Sequence, residues 1–211
     1  MRIHKVTIYI VYLLQLQQNH KEVIIMATIG LRDIYYAKLL TDPVGGTPTY
    51  EAPARLAGAI SANINPNSSS ATLFADDGPA DTAATLGEIS LELNVADIPL
   101  DIQATLLGHT VENGILKKKG GDVPPWVAIG FRTLKSNGSY RYYWLAKGKF
   151  ATPEEDLKTK GDSIEFTTPT ISGSFVKRDS DDEWQRQADS DDTEAATAIG
   201  KWFNGPLQPD A

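Results

Sequence analysis

Apolar and polar residues alternate along most of this chain. The cleanest stretch is GEISLELNVADI (87–98), where Ile89, Leu91, Leu93 and Val95 fall on one side and Glu88, Ser90, Glu92 and Asn94 on the other. A period of two is that of a β-strand with one dry and one wet face. WVAIGFRTLKSNGSYRYYWLAKGKF (126–150) reads as a hairpin, because Asn137-Gly138 suits a two-residue turn whose central residues need positive φ. That turn sets Phe131 opposite Trp144, Ile129 opposite Ala146 and Thr133 opposite Tyr142, all on one face. In DSIEFTTPTISGSFVKR (162–178), Ile164 and Phe166 hold even positions but Ile171 and Phe175 odd ones. A bulge or bend near Pro169 would keep all four pointing inward. RDIYYAKL (32–39), RLAGAISANI (55–64) and GILKKK (114–119) are further strand candidates.

One helix interrupts this pattern, in ADIPLDIQATLLGH (96–109). Ile98, Ile102 and Leu106 recur every four residues, Pro99 suits a first turn, and Gly108 supplies a left-handed stop. Such a helix is expected to lie across one sheet. A second, shorter helix is expected in TEAATAIGKWFNG (193–205), within residues 193–203, anchored by Trp202 and Phe203. Residues 68–86, SSSATLFADDGPADTAATL, are small and polar with Asp76-Asp77-Gly78-Pro79 at a tip, and turn chemistry predicts a long loop there. A loop of this length either serves binding or is disordered.

Composition narrows the chemistry. The chain has no cysteine, which excludes disulfides, thiolate metal sites and cysteine nucleophiles. Beyond residue 25, His109 is the only histidine, with no motif neighbours of a catalytic set; a loop or helix C-cap role fits it best. No nucleophile-elbow, zinc-protease, phosphate-loop or dinucleotide-binding pattern occurs. These absences point away from an enzyme, and no cofactor or metal site is expected.

The stretch KEVIIMATIGLRD (21–33) raises the question of where translation starts, since the codons AAG-GAG-GTN for Lys21 to Val23 would spell a ribosome-binding sequence just ahead of Met26. Residues 1–25 therefore read as a translated leader outside the fold; a genuine arm and a targeting segment are the other readings. VTIYIVYLL (6–14) lacks a small-residue cleavage site after it and is shorter than the roughly 20 residues of a membrane-spanning helix. Setting residues 1–25 aside leaves 17 basic and 26 acidic side chains, net −9. An acidic balance disfavours gripping a phosphate backbone. The domain expected is residues 26–178, followed by an acidic C-terminal segment, 179–211. Its residues 179–194 carry eight acids against the single base Arg186, and a solvated loop is the plain expectation there.

The order of parts resembles the major tail proteins of long-tailed bacteriophages, of the type found in phages and prophages of Gram-positive bacteria. The resemblance covers roughly residues 26 to 205. It rests on DIYYAKLLTD, the small-residue hairpin loop, GEISLELNVADIPLDIQATLLGH, a lysine-bearing strand, PPWVAIGFRT with YRYYWLAKGKF, and TPTISGSFVKR. It implies a mainly β tail-tube fold: two packed antiparallel sheets, as a β-sandwich or partial barrel, with one flanking helix and a long hairpin-like loop. It also implies a virion structural protein made and assembled in the bacterial cytoplasm, forming hexameric rings stacked into the tail tube. Expected partners are further copies of itself, the tape-measure protein, the tail terminator, tail-tip or baseplate proteins, and DNA as passing cargo; no membrane is involved.

On that reading the tip acids Asp76, Asp77 and Asp81 are the inter-ring candidates, and Lys117, Lys118 and Lys119 their axial partners or else an exposed turn. Glu88 and Glu92 are the lumen candidates, with the outer surface of a sandwich as the alternative. A different class of function also fits: a stand-alone β-sandwich binding module holding sugar or protein on Tyr140, Tyr142, Tyr143 and Trp144. A β-rich hydrolase with paired carboxylates is the weakest reading.

Overall fold

The computed structural model describes residues 27–206, apart from 57, 156 and 160–165. The proposed leader, and Ile164 in the expected strand at 162–178, lie outside the described residues. Strands β1 (Thr28–Thr41), β2 (Thr49–Tyr50), β3 (Ala54–Arg55), β4 (Ala59–Ala75) and β5 (Gly78–Val95) precede helix α1 (Leu100–Leu107). Then follow β6 (Thr110–Glu112), β7 (Ile115–Lys117), β8 (Val127–Lys135), β9 (Tyr140–Phe150), β10 (Thr170–Val176) and β11 (Gln185–Asp189). A short helix α2 (Ala196–Gly200) and a 3-10 turn at Trp202–Asn204 come last.

The fold is mainly β, with two antiparallel sheets and one main helix. The larger sheet has nine strands in the order β2-β1-β8-β9-β10-β5-β4, with β3 also on β1 and β11 also on β9; β6 and β7 form the small one. The two packed layers expected are two halves of that one curled sheet. Its ends, β1 and β4, come side by side without a connecting ladder. The halves enclose a core of Ile34, Ile89, Leu91, Leu93, Val95, Ile129, Phe131, Leu145, Phe150, Ile171 and Phe175. Every apolar residue of the 87–98 pattern is in it, because alternation aims all of them to one side. Helix α1 closes the core with Leu106 and Leu107, Gly108 ends it at φ 75°, and Pro99 stands at the N-cap rather than inside the first turn.

Four expectations need correction. The β8–β9 turn holds three residues, Ser136 to Gly138: Lys135 N donates to Ser139 O at 2.8 Å and Gly138 N to Lys135 O at 3.0 Å. Gly138 takes φ 85° as the left-handed residue that closes such a loop. The extra residue moves the register by one, so Phe131 faces Tyr143, Ile129 faces Leu145 and Thr133 faces Arg141. A shift of one sends alternate side chains to the other face, and Tyr142 and Trp144 leave the main core.

Residues 68–86 are hairpin-like, as the resemblance implies, but regular strand instead of the long loop that turn chemistry predicts. They are the outer part of a β4–β5 hairpin, paired from Ser68 with Leu86 to Ala75 with Gly78. Its two-residue turn is Asp76-Asp77, at φ 50° and 61°. The third correction concerns 162–178: the strand begins at Thr170, and Phe166 stands outside it, 91% exposed, so no bulge at Pro169 is required. The fourth concerns 179–194, which supplies strand β11 on β9 and a set of ion pairs instead of a solvated loop.

Two further strand candidates are trimmed. RLAGAISANI divides into β3 and the start of β4, with buried Leu56 between them donating its N–H to Ile34 O at 2.8 Å. GILKKK is a strand only at Ile115–Lys117.

Candidate functional site

The outer face of the curled sheet is covered over one half and bare over the other. On the covered half, Tyr142 and Trp144 of β9 and Ala128 of β8 pack beneath Trp202, with Tyr35, Ile199 and Phe203 around them. Trp144 Nε1 donates to Trp202 O at 2.9 Å, and the rings of Tyr35 and Phe203 stack 4.5 Å apart. Gly130 lies opposite Trp144, and a Cβ there would sit 2.6 Å from the indole, so glycine lets the ring lie flat across β8. Tyr143 faces the main core and stacks on Phe131, and Tyr140 receives the Arg132 guanidinium at 4.4 Å. The aromatics expected as a ligand platform are thus packed against the protein itself.

The C-terminal acids hold this half in place. Lys147 Nζ binds Asp42 at 2.7 Å and Asp179 at 2.6 Å. Fully buried Arg178 binds Asp181 and Glu183, each at 2.6 Å, and Lys135 binds Asp189 and Asp191. Arg141 binds Asp189 through two bonds of 2.6 and 2.7 Å. Burial alone would push the Asp42 carboxyl up, but hydrogen bonds from Lys147, Asp179 and Ser180 hold it down at about 2. Hydrogen bonding to Arg141 outweighs burial and, with Lys135, holds Asp189 at about 2 as well. Buried charges need such partners.

The bare half consists of β4, β5 and β10. Registers set Asn63 and Ser172 on either side of Glu92, and Asn65 and Ser174 on either side of Ser90. Apart from Ile60 on β4, which is 51% exposed, the outward residues there are small or polar, with the lumen candidates Glu88 and Glu92 both exposed among them. Glu88 accepts a hydrogen bond from Ser174 Oγ. Asn94 Nδ2 donates to Thr170 Oγ1 at 2.8 Å. Lys149, beside Ser174 on β9, stands 4.6 Å from the Trp126 ring.

Beyond the core, β4 and β5 continue together as a two-stranded ribbon. Its nine residues from Asn67 to Ala75 reach roughly 30 Å. Both faces of the ribbon are exposed, and near its end Leu73 is 65% and Phe74 70% exposed. Ser, Thr and Ala pair across it, as in Ser69 with Thr85 and Ala71 with Ala83. Asp76 and Asp77 form the tip, and Asp81, opposite Leu73, accepts a bond from Thr82 N. A lone two-stranded hairpin is marginal in water.

The lysines proposed as its partners are partly engaged at home. Lys117 binds Glu112, Lys118 binds Glu155, and Lys119 N donates to Asp122 at 2.8 Å. His109, expected as a loop or cap residue, joins the end of α1 to that same Asp122 through Nδ1 at 2.7 Å. The backbone N–H of Lys119 and then the His109 ring pull the Asp122 carboxyl below its usual value.

Among the described residues, no group of three or more His, Asp or Glu could hold a metal ion, and no helix is long and apolar enough to cross a membrane. Compared with known proteins, the chain matches no family model and no curated protein.

Proposed function

We propose that this chain is a virion structural protein, a major tail protein whose hexameric rings stack into the tube that carries DNA during ejection. The observation that carries this reading is the division of the sheet's outer face. One half is sealed by the C-terminal segment, while the other is polar, is covered by none of the described residues, and runs on into a projecting ribbon. A closed ring needs head-to-tail contacts, and stacking needs a second, open-ended contact along the axis. The unpaired edges and the exposed ribbon suit such contacts.

The bare face is suited to walling a channel. Glu88 and Glu92 repel phosphate and outnumber Lys149 beside them, and the serines and asparagines around them carry no charge, so DNA can slide past. The tape-measure protein would occupy the same channel during assembly, with terminator and tail-tip proteins closing the two ends. The test is negative-stain microscopy of the purified full chain at rising concentration. Rings or hollow tubes are expected; a monomer with measurable glycan affinity would favour the binding-module reading instead.

A further inference from the structure

On the outer face of the sheet, at the rim of its sealed half, β1 and β8 gather positive charge. Arg32 and Arg132 stand directly opposite each other, and side chains paired in this way share a face. Before the next pair, Tyr35 with Gly130, β1 has Asp33 and Ile34 where β8 has Phe131 alone. Asp33, at φ 52°, is the extra residue of a bulge and stays on the outer face, while Ile34 takes the core position. Its carboxylate meets Arg132 at 2.6 Å and Arg55 at 2.8 Å. Three guanidiniums therefore share one carboxylate, in a chain whose net charge is −7. Beside them lies a cavity of about 340 Å³ lined by Asp33, Tyr35, Arg132, Tyr142, Phe203 and Asn204. We propose that the cluster and the cavity together bind a small anionic saccharide, with its phosphate or carboxylate on Arg32 and Arg132 and its ring in the cavity.

Charge selects the anion. Arg32 is exposed and forms no ion pair among the described residues, and both oxygens of Asp33 are already taken, one by Arg55 and one by Arg132. Like charges facing across a ladder destabilise it, so an oxyanion set between the two guanidiniums relieves a repulsion that the fold otherwise carries. Carboxylate and phosphate both match the paired N–H groups of a guanidinium.

The cavity selects what the anion is attached to. Its volume falls in the range of small-ligand sites and exceeds what a bare anion needs. Tyr35 and Phe203, stacked 4.5 Å apart, supply aromatic walls suited to the C–H face of a sugar. Tyr142, only 7% exposed, accepts a bond from Arg132 Nη1 at 3.2 Å, and its own O–H finds no acceptor among the described residues. A ring oxygen or hydroxyl of the ligand would fill that role, and the exposed Asn204 adds an amide at the same place.

Isothermal titration calorimetry of the full chain tests the site with glucose 6-phosphate, glucuronate, glucose and inorganic phosphate. At least one sugar acid should bind about tenfold or more tighter than both glucose and inorganic phosphate, and which sugar acid does so identifies the anionic group. Arg32→Ala should weaken that binding about tenfold, and Arg32→Lys, which keeps the charge but loses the fork, by less. The urea midpoint of Arg32→Ala should be unchanged or higher, because a repulsion is removed. Tyr142→Phe should weaken binding about fivefold through the lost O–H. Sugar acids that bind no better than glucose would overturn the proposal, as would inorganic phosphate binding equally well. A lower urea midpoint for Arg32→Ala would overturn it too, by revealing a partner for that charge within the chain. So would an Arg32→Ala variant that loses self-association and keeps its sugar affinity, which would make the cluster a contact between copies. The site stands apart from the tube reading: binding by a chain that forms tubes keeps both, and binding by one that stays monomeric keeps the site and removes the tube.

Discussion

The covered and bare halves of the curled sheet begin from the same alternating pattern and end differently. On β8 and β9 the outward positions carry Ala128, Tyr142 and Trp144, and the C-terminal segment packs on them. On β4, β5 and β10 the outward positions carry Asn63, Ser90, Glu92 and Ser172, and among the described residues nothing packs over them. The difference shows which face the chain seals for itself and which stays open among the described residues. Stability should reside in the first half and assembly or transport in the second.

The strongest way to break that comparison is at Trp144. Trp144→Ala empties the site under Trp202 and removes the bond to its carbonyl, and should cost about 3–5 kcal/mol in urea unfolding. A loss below about 1 kcal/mol would mean the second cluster is not a core.

Next is the ion-pair clasp. Asp42 and Asp189 are each held at about 2 against an ordinary 3.8, so the folded chain binds fewer protons than the unfolded chain below pH 4. Their stabilisation is present above that value and is lost as pH falls toward 2. Asp42→Asn should cost about 2 kcal/mol at neutral pH and flatten the acid limb of a plot of unfolding free energy against pH. An unchanged slope would show that the clasp does not carry the acid sensitivity.

Much of the fold could be read from the pattern, and the failures share a cause. The inner part of strand β5, from residue 87, and helix α1 were legible because their periodicities are complete within a dozen residues. The β8–β9 register was not, since Asn137-Gly138 serves a two-residue turn and a three-residue loop equally well, and the choice decides where Tyr142 and Trp144 point. The ribbon was misread because Ser, Thr and Ala bury nothing. Its strands satisfy each other's backbone without a core, and no hydrophobic signal records that. The clasp was hidden because Lys135, Arg141 and Lys147 lie 32 to 105 residues from the acids they bind. The exposure of Glu88 and Glu92 was identifiable from alternation alone, while the meeting of β1 and β4 depends on two strands that share no ladder.

A smaller effect sharpens the turn argument. Gly138→Ala forces a side chain onto a φ of 85° and should cost about 1 kcal/mol, with the hairpin register kept. Smallest in stability, but informative for function, is Glu88→Lys with Glu92→Lys. The pair should shift unfolding by only about 0.5 kcal/mol and spare assembly, yet impair DNA ejection from particles carrying it. Normal infectivity would remove both glutamates from the lumen.

The most direct measurement is electron cryo-microscopy of the full chain assembled at high concentration. The account predicts a hollow tube of stacked hexamers, its channel walled by β4, β5 and β10 with Glu88 and Glu92 facing inward. A closed dimer, a solid fibre, or a tube with that face turned outward would contradict it.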